Sequence, residues 1–417
     1  LLVLSSVIDY CSGILIEKKY RQVGLLFSIV FNLSILIYFK YANFIIENVN
    51  SVFSLANDPS KLNSINVIMP VGISFFTFQT MSYTIDVYRG KIKACTSFLN
   101  FITYVSLFPQ LVAGPIVRYE EIQDQLVNKN LTVAKFSNGI ERFVIGLFKK
   151  IFIANNLALV SDVAFESVNG YGSLFSWIGV LSYTLYIYFD VSGYTDMAIG
   201  LGRMFGFEFP ENFNYPYLAN SIRDFWRKWH ITVSTWFRDY VYLPLGGNRK
   251  TSSRVLINLL IVFIVTGLWH GAAWNFVIWG LWHGLFLLLE RKGFINIKNK
   301  NLKHLYVLLV VMVGWVIFRS NNLTQAMVIS KQLFVYQPLV DDNILKFVFR
   351  VETLIAFFMA VLFSFPLYAK LKKEIKNQIK NQNVITLLKV SSLVLLMLIC
   401  YTYISIGAYN PFIYFKF

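Results

Sequence analysis

Long apolar runs recur from one end of this chain to the other, and most of them end on a short cluster of lysine and arginine. A hydrocarbon core offers no water to backbone N–H and C=O groups, so each run that enters one must close its own hydrogen bonds as a helix. The pattern therefore points to an all-α polytopic membrane protein. Of 417 residues 56% are hydrophobic and 14% charged, against about 25% charged in soluble domains. The net charge of +16 is broken into clusters between the runs, which is positive-inside patterning and argues against a nucleic-acid partner. Cys11, Cys95 and Cys400 are scattered and set up no disulfide framework.

The chain starts at Leu1, without Met, inside an apolar run that leads to the basic stretch 17–21. Residues 24–46 read as a span, and 47–64, with Asp58 and few cations, as an external loop. Residues 65–88 return to the basic 89–93. The run 98–116 is interrupted by Pro109, Gly114 and Pro115, so a broken or re-entrant helix is expected, followed by a polar helix-forming stretch over 118–138. Residues 139–160 carry Arg142, Lys149 and Lys150 against an apolar face, as in an interfacial helix or a short span. Residues 174–189 span and run on into 190–207, where Asp190 and Asp196 need partners; Arg203, Arg223 and Arg227 are the nearest basic candidates. Beyond residue 290 come a basic loop at 291–303, a span at 305–318, an external loop with Asp341 and Asp342, a return at 353–368 to the basic 370–381, and a last span at 385–406. That makes roughly nine to eleven membrane segments in one domain, 1–417, with the chemically suggestive residues gathered in 188–290.

Within that region the stretch GLWHGAAWNFVIWGLWHG, 267–284, repeats GLWHG at a spacing of thirteen residues inside an apolar hairpin. Both outer ends of the hairpin carry cations and read as cytoplasmic. From Arg254 to His270 the helical rise is about 24 Å, short of a hydrocarbon core of about 30 Å, so His270 is expected at the vertex within the membrane. A histidine there is a functional candidate by default, and the flanking Gly267 and Gly271 permit close approach of backbone or substrate. On a continuing helix His283 would lie about 20 Å away, and it reads as a ring packed among helices. The four histidines, His230, His270, His283 and His304, form no HxxxH or CxxC pair, so no metal is expected.

The segment 211–245 is too polar for a span and too aromatic for an ordinary loop. Arg223, Arg227, Lys228 and Arg238 interleave with Trp226, Trp229, Trp236 and Tyr240, as in a helix lying in the interface, and His230 sits in its middle. Two readings of the cations stay open: anchorage at anionic headgroups, or, with Arg249 and Lys250 in the glycine turn that follows, reception of a phosphate-bearing donor.

These residues carry a resemblance. The run YFDVSGYTDMAIGLGRMFGFEFPENFNYPYLANSIRDFWRKWHITVSTWFRDYVYLPLGGNR, 188–249, with GLWHGAAWNFVIWGLWHG, resembles the membrane-bound O-acyltransferase (MBOAT) family, in its alginate-acetylating and peptidoglycan-acetylating branch; LFPQLVAGPIVRYEE, 107–121, and the terminal PFIYFKF also fit. The resemblance implies a ring of tilted and re-entrant helices around a central tunnel. It further implies that His270, of the LWHG motif, is catalytic and that His230, of RKWHIT, lies at the same tunnel. It also implies a first membrane helix that this chain does not show. Asp190, Tyr194, Asp196, Arg227, Trp229, Trp269 and Asn275 are the candidate substrate-contacting or tunnel-lining residues.

Chemistry agrees on His270. Moving an acetyl group from a thioester to a hydroxyl requires a base, and an imidazole of ordinary pKa near 6.5 is available as one at neutral pH, contributing about 10² to 10⁴ in rate. No cysteine lies near a histidine motif to act as nucleophile. The expected reaction is O-acetylation of an exported polysaccharide, alginate-like or peptidoglycan, from acetyl-CoA or an acyl carrier thioester approaching near Arg249 and Lys250, with no bound cofactor. Asn275 and the indoles of Trp269 and Trp274 are candidate oxyanion donors. The expected surroundings are membrane lipid of the cytoplasmic membrane and an extracytoplasmic SGNH-type partner. D-alanyl transfer to teichoic acid with a carrier protein is the alternative. A transporter relaying protons through His270 and the two aspartates is a further one, and the paired halves it would show are not evident.

Overall fold

The computed structural model describes residues 1–56, 60–166, 172–336, 346, 348–367, 374, 377–379 and 381–412. Asp58, Asp341, Asp342, most of the basic stretch 370–381 and residues 413–417 lie outside them. All regular structure among the described residues is helical. In chain order the helices are α1 (Leu2–Lys18), α2 (Arg21–Leu36), α3 (Ala42–Leu55), α4 (Ile73–Tyr88), α5 (Phe98–Val105), α6 (Phe108–Leu111), α7 (Tyr119–Val127), α8 (Val133–Phe148), α9 (Asn155–Glu166), α10 (Gly172–Met204), α11 (Ile222–Lys228), α12 (Ile231–Phe237), α13 (Ser252–His270), α14 (Trp274–Arg291), α15 (Lys300–Arg319), α16 (Leu323–Phe334), α17 (Val351–Phe363) and α18 (Gln382–Ser405). Among the described residues six helical stretches are long and apolar enough to cross a membrane: Arg21–Leu55, Val133–Glu166, Gly172–Met204, Ser252–His270, Lys300–Arg319 and Gln382–Ser405. The higher number expected from hydropathy included shorter pieces such as α4, α5 and α17.

Two of the long stretches are α-helices joined through a π turn, and both correct the sequence reading. α2 continues through Ile37–Tyr41 into α3 and stays helical to Leu55, so the expected external loop begins later. Residues 47–55 contain neither Gly nor Pro to stop the helix, and Asn43 and Asn50 hold the returning chain by bonds to Ile65 and Leu62. α8 continues through Lys149–Ala154 into α9, a run of 34 residues that is 72% buried over its apolar window, rather than an interfacial helix or short span.

Glycine explains that depth. Gly139 and Gly146 on α8 face Gly200 and Gly193 on α10, two turns apart on each helix. A Cβ at Gly146 would stand 2.6 Å from the Gly193 carbonyl, and one at Gly200 2.7 Å from that of Gly139. Small residues let the backbones approach, the usual basis of helix association where lipid supplies no hydrophobic drive. Arg142 of α8 and Lys149 and Lys150 of the π turn therefore turn inward. Lys150 meets Asp190 at 2.5 Å, and Arg142 and Lys149 meet Asp196 at 2.7 and 2.6 Å.

The broken segment is as expected in kind. α5 ends at Val105, Pro109 sits in the short α6, and residues 112–118 are not helical. Its freed backbone groups find side chains: Ile116 N–H donates to Thr232 Oγ1 at 3.0 Å, and Tyr104 OH donates to Val117 O at 3.1 Å. At the N-terminal end α1, α2 and α4 are knitted by the buried Asp9, which accepts from Ser28 at 2.5 Å and from Asn32 at 2.9 Å, while Ser28 also bonds Thr84.

Candidate active site

The hairpin α13–α14 is antiparallel and tight. Gly267 lies against the Phe276 carbonyl and Gly280 against that of Phe263, where a Cβ would fall inside van der Waals contact. α13 ends on His270, Gly271 is extended, and α14 starts at Trp274, so His270 occupies the hairpin vertex. Its ring is set edge-on among Trp269, Trp279 and Phe318, with centroids at 4.8, 5.0 and 5.2 Å. It is half-buried on the wall of a cavity of about 260 Å³ shared with Lys40, Gly72, Ser74, Phe75 and Trp269.

His230 comes to the same place from another part of the chain. It separates α11 from α12 in the left-handed conformation, φ 44°, uncommon for a residue with a side chain. Asn212 holds it there. The Asn212 Oδ1 accepts from Thr232 N–H at 3.1 Å and Thr232 Oγ1 at 2.9 Å and lies 3.2 Å from His230 Nδ1, which places the His230 proton on Nδ1. The His230 ring is 6.0 Å from that of Trp269, so one indole touches both histidines.

Trp269 is buried, and its Nε1–H has no partner among the described residues. The other two candidate donors differ. Trp274 is 55% exposed and donates to Asn48 at 2.9 Å, and Asn275 donates to Ser320 O at 2.9 Å, fixing α14 to the end of α15. Of the three, Trp269 alone keeps an uncommitted donor beside His270.

His283 is fully buried, with neither ring nitrogen hydrogen-bonded to a described residue, among Phe225, Trp226, Trp279 and Trp315. The expected separation of about 20 Å from His270 is corrected: the chain breaks at 271–273 and doubles back, so Trp279 touches both imidazoles, at 5.0 and 5.2 Å. Trp229 belongs to the same aromatic mass, 4.9 Å from Trp315.

The carboxylates lie elsewhere. Asp190 and Asp196 are held in the α8–α10 seam by Lys150, Arg142 and Lys149, not by Arg203, Arg223 or Arg227. The glycine contacts bring α8 closer to them than any loop. Tyr194, between them, packs on Phe412 at 5.3 Å. Arg203 pairs with Glu208, and Arg142 also with Glu211.

Arg223 and Arg227 instead line a second and larger cavity, of about 850 Å³, together with Arg238, Arg291 and Lys303; Glu290 is the carboxylate among its lining residues. Arg249 and Lys250 are not among them. The Lys250 stem would meet a Cβ at Gly246, and the turn reaches the cavity through Asn248, which accepts from Tyr242 OH at 2.7 Å and Arg291 at 3.0 Å. The i, i+4 spacing of Arg223 and Arg227 was the signal for this face. Trp226 lines the cavity and contacts Trp279 at 5.7 Å, so an aromatic layer stands between it and His270. Below Arg238, Asp239 accepts from Arg118 at 2.7 Å; burial would raise this carboxyl, but Arg238 and Arg118 outweigh it and hold it below the usual carboxylate range. Among the described residues no group of three or more His, Cys, Asp or Glu side chains is arranged to hold a metal ion.

Comparison with known proteins places this arrangement. The sequence profile of the membrane-bound O-acyltransferase family matches residues 91–329. The chain is 43% identical over 315 residues to a probable alginate O-acetylase, AlgI, of Azotobacter vinelandii, an alignment covering 75% of this chain and 62% of that protein. It is 33% identical to the peptidoglycan O-acetyltransferase of Helicobacter pylori, covering 100% of this chain and 87% of the relative. The teichoic acid D-alanyltransferase of Bacillus subtilis is 30% identical over 222 residues, covering 50% of this chain and 55% of the relative. The chain thus spans under two thirds of the alginate O-acetylase and most of the Helicobacter protein. With the profile matched across more than half its length, including both histidine motifs and the broken α5–α6 segment, this chain belongs to the membrane-bound O-acyltransferase family.

Proposed function

We propose that this protein is a membrane O-acetyltransferase that passes acetyl from a thioester on its basic face to a hydroxyl destined for an exported polysaccharide, with His270 as general base. The observation that carries the reading is the placement of His270 on a cavity wall at the hairpin vertex, beside the uncommitted Trp269 indole and His230. The acceptor oxygen attacks the thioester carbonyl as its proton passes to the imidazole. The tetrahedral oxyanion is met by the Trp269 N–H, and the collapsing intermediate expels a thiolate that takes the proton back. His230, held by Asn212, packs edge-on against that indole. Arg223, Arg227, Arg238, Arg291 and Lys303 give the larger cavity a positive field suited to the phosphates of acetyl-CoA or of an acyl carrier's prosthetic arm. A path through the Trp226–Trp279 layer would join the two cavities as the central tunnel of the fold.

The chain would work within the cytoplasmic membrane, with an SGNH-type partner outside it completing transfer to alginate-like polysaccharide or peptidoglycan. The names of the alginate and peptidoglycan relatives support acetyl transfer to such polymers. D-alanyl transfer is the second reading, favoured only by the half-chain likeness to the teichoic acid enzyme. Acetyl ester content of exopolysaccharide and of peptidoglycan, measured separately in cells with the intact gene, His270→Ala and a deletion, tests the proposal. Loss from one polymer in both altered strains is the expected result and names the acceptor. Unchanged esters in His270→Ala cells would sink the assignment of the base, and loss of D-alanyl esters instead would transfer the site to the second reading.

A further inference from the structure

The helix that ends in His270 is capped by residues more than two hundred positions away. The last four carbonyls of an α-helix have no partner within it, and in α13 these belong to Gly267, Leu268, Trp269 and His270. Gly267 O accepts from Gly271 N–H at 3.3 Å. The other three are taken by two consecutive side chains of the long first span. Tyr41 OH donates to Leu268 O at 2.7 Å, and the Lys40 ammonium donates to Trp269 O at 2.6 Å and His270 O at 3.3 Å. Its remaining proton points to Ser74 Oγ at 3.4 Å.

Two features single this contact out. After Arg21, Lys40 is the one cation in the long first span, whose carboxylate, Glu47, lies beyond it, and it forms no ion pair with a carboxylate among the described residues, a costly position for an ammonium. Its counter-charge is the negative end of the α13 dipole, which favours a cation there. Lys40 and Tyr41 are also the last two residues of the π turn Ile37–Tyr41. A π turn takes more residues per turn than an α-helix, so neighbouring side chains diverge less, and both reach one helix end. Such turns occur frequently at functional sites.

We propose that Lys40 and Tyr41 are positioning residues for His270, fixing the last turn of α13 and so the angle at which the imidazole meets the cavity. The inference rests on the assignment of His270 as the base, but its structural half stands apart from that assignment. Through the π turn the first span becomes part of the architecture that positions His270.

The test uses the full chain in its native membrane, with Lys40→Met, Lys40→Arg, Tyr41→Phe and His270→Ala. Hydrogen exchange is read in peptides spanning 267–271, and acetyl ester is measured per folded protein. Lys40→Met should speed exchange at the end of α13 while leaving the α8–α10 seam and the melting temperature near their original values. It should lower ester formation by about 10²-fold, the loss typical of a displacement of about 1 Å. Lys40→Arg, which still donates to both carbonyls, should restore most of that activity, and Tyr41→Phe should give a smaller loss. Unchanged exchange at 267–271 in Lys40→Met, or a general loss of folded protein that Lys40→Arg does not repair, would overturn the proposal. Inactive His270→Ala beside fully active Lys40→Met would overturn it while leaving the base assignment intact. Active His270→Ala would remove the base assignment, and the exchange data would still decide whether the clamp exists.

Discussion

The two GLWHG copies open on glycines that meet the facing backbone in the same way, and a Cβ at either should cost far more than one at Gly284, which closes the second copy. At Gly267 a Cβ would overlap the Phe276 carbonyl oxygen and lie 3.0 Å from its carbon. Both are backbone atoms of the facing helix, so α13 and α14 must part by about 1 Å to regain ordinary carbon contacts of about 3.5–4.0 Å. Gly280 meets the Phe263 backbone in the same way, with that carbonyl carbon also at 3.0 Å. At Gly284 the neighbours are side-chain atoms of Phe263 and Leu260 at 3.3–3.5 Å, which can yield by a few tenths of an ångström. Gly267→Ala and Gly280→Ala should therefore each cost about 1–3 kcal/mol in overpacking, and Gly284→Ala much less. Because the crossing sets where His270 stands, a shift of about 1 Å should also lower turnover by about 10²-fold. Melting temperature in detergent and acetyl ester per folded protein read the two effects independently. Gly267→Ala with native melting and full activity, or Gly284→Ala as damaging as Gly267→Ala, would refute the reasoning.

Three further outcomes follow from the described contacts. Asp190→Asn leaves Lys150 charged in a site where the two side chains are 0% and 8% exposed, and should destabilise by about 3–5 kcal/mol, read by thermal melting; Asp190→Leu with Lys150→Met should recover part of it. His283→Leu removes a buried imidazole with no hydrogen bond and should melt within about 1.5 kcal/mol of the native protein while keeping acetyl transfer; inactivity at native stability would contradict a packing role. Asp239, held below the usual carboxylate range by Arg238 and Arg118, contributes stability that is present above the unfolded value of about 4 and is lost as pH falls through the lower folded value. The fall in melting temperature between about pH 5 and about pH 3 should therefore flatten in Asp239→Asn.

Hydropathy and turn chemistry were enough to read the hairpin, the break near Pro109 and the vertex position of His270. Each depends on residues close in sequence. What stayed hidden depends on tertiary contact. Asn212 orients His230 from eighteen residues away, and within ENFNYPYL nothing distinguishes it from its neighbour Asn214. Lys40 lies within the run 24–46, and its carbonyl partners are fixed by a crossing of the first span with α13 that no local pattern encodes. The depth of α8 was misread because three cations usually mark a wetted face. Here glycines on two helices bring the carboxylates of α10 to those cations instead.

That misreading shows what the strongly positive net charge does. Positive-inside counting treats every Lys and Arg as a topology signal, yet the structure divides them by partner. Arg142, Lys149, Lys150 and Arg319 are neutralised by Asp196, Asp190 and Asp162 and act as buried or half-buried fasteners between helices. Arg223, Arg227, Arg238, Arg291 and Lys303 converge on one cavity whose lining includes a single carboxylate, so their field is directed at whatever enters it. Lys40 is neither: its charge is matched by a helix terminus. The three groups should separate under added salt. A cavity field acting on a phosphate-bearing ligand weakens as ionic strength rises, because exposed charges are screened over about 8–10 Å. Buried pairs and a helix-end contact between packed elements are screened far less. Donor affinity should accordingly fall with salt while melting temperature and the exchange protection of residues 267–271 hold steady. A parallel decline of all three would mean that the cations of the cavity also hold the fold together, and that the division drawn from their partners is wrong.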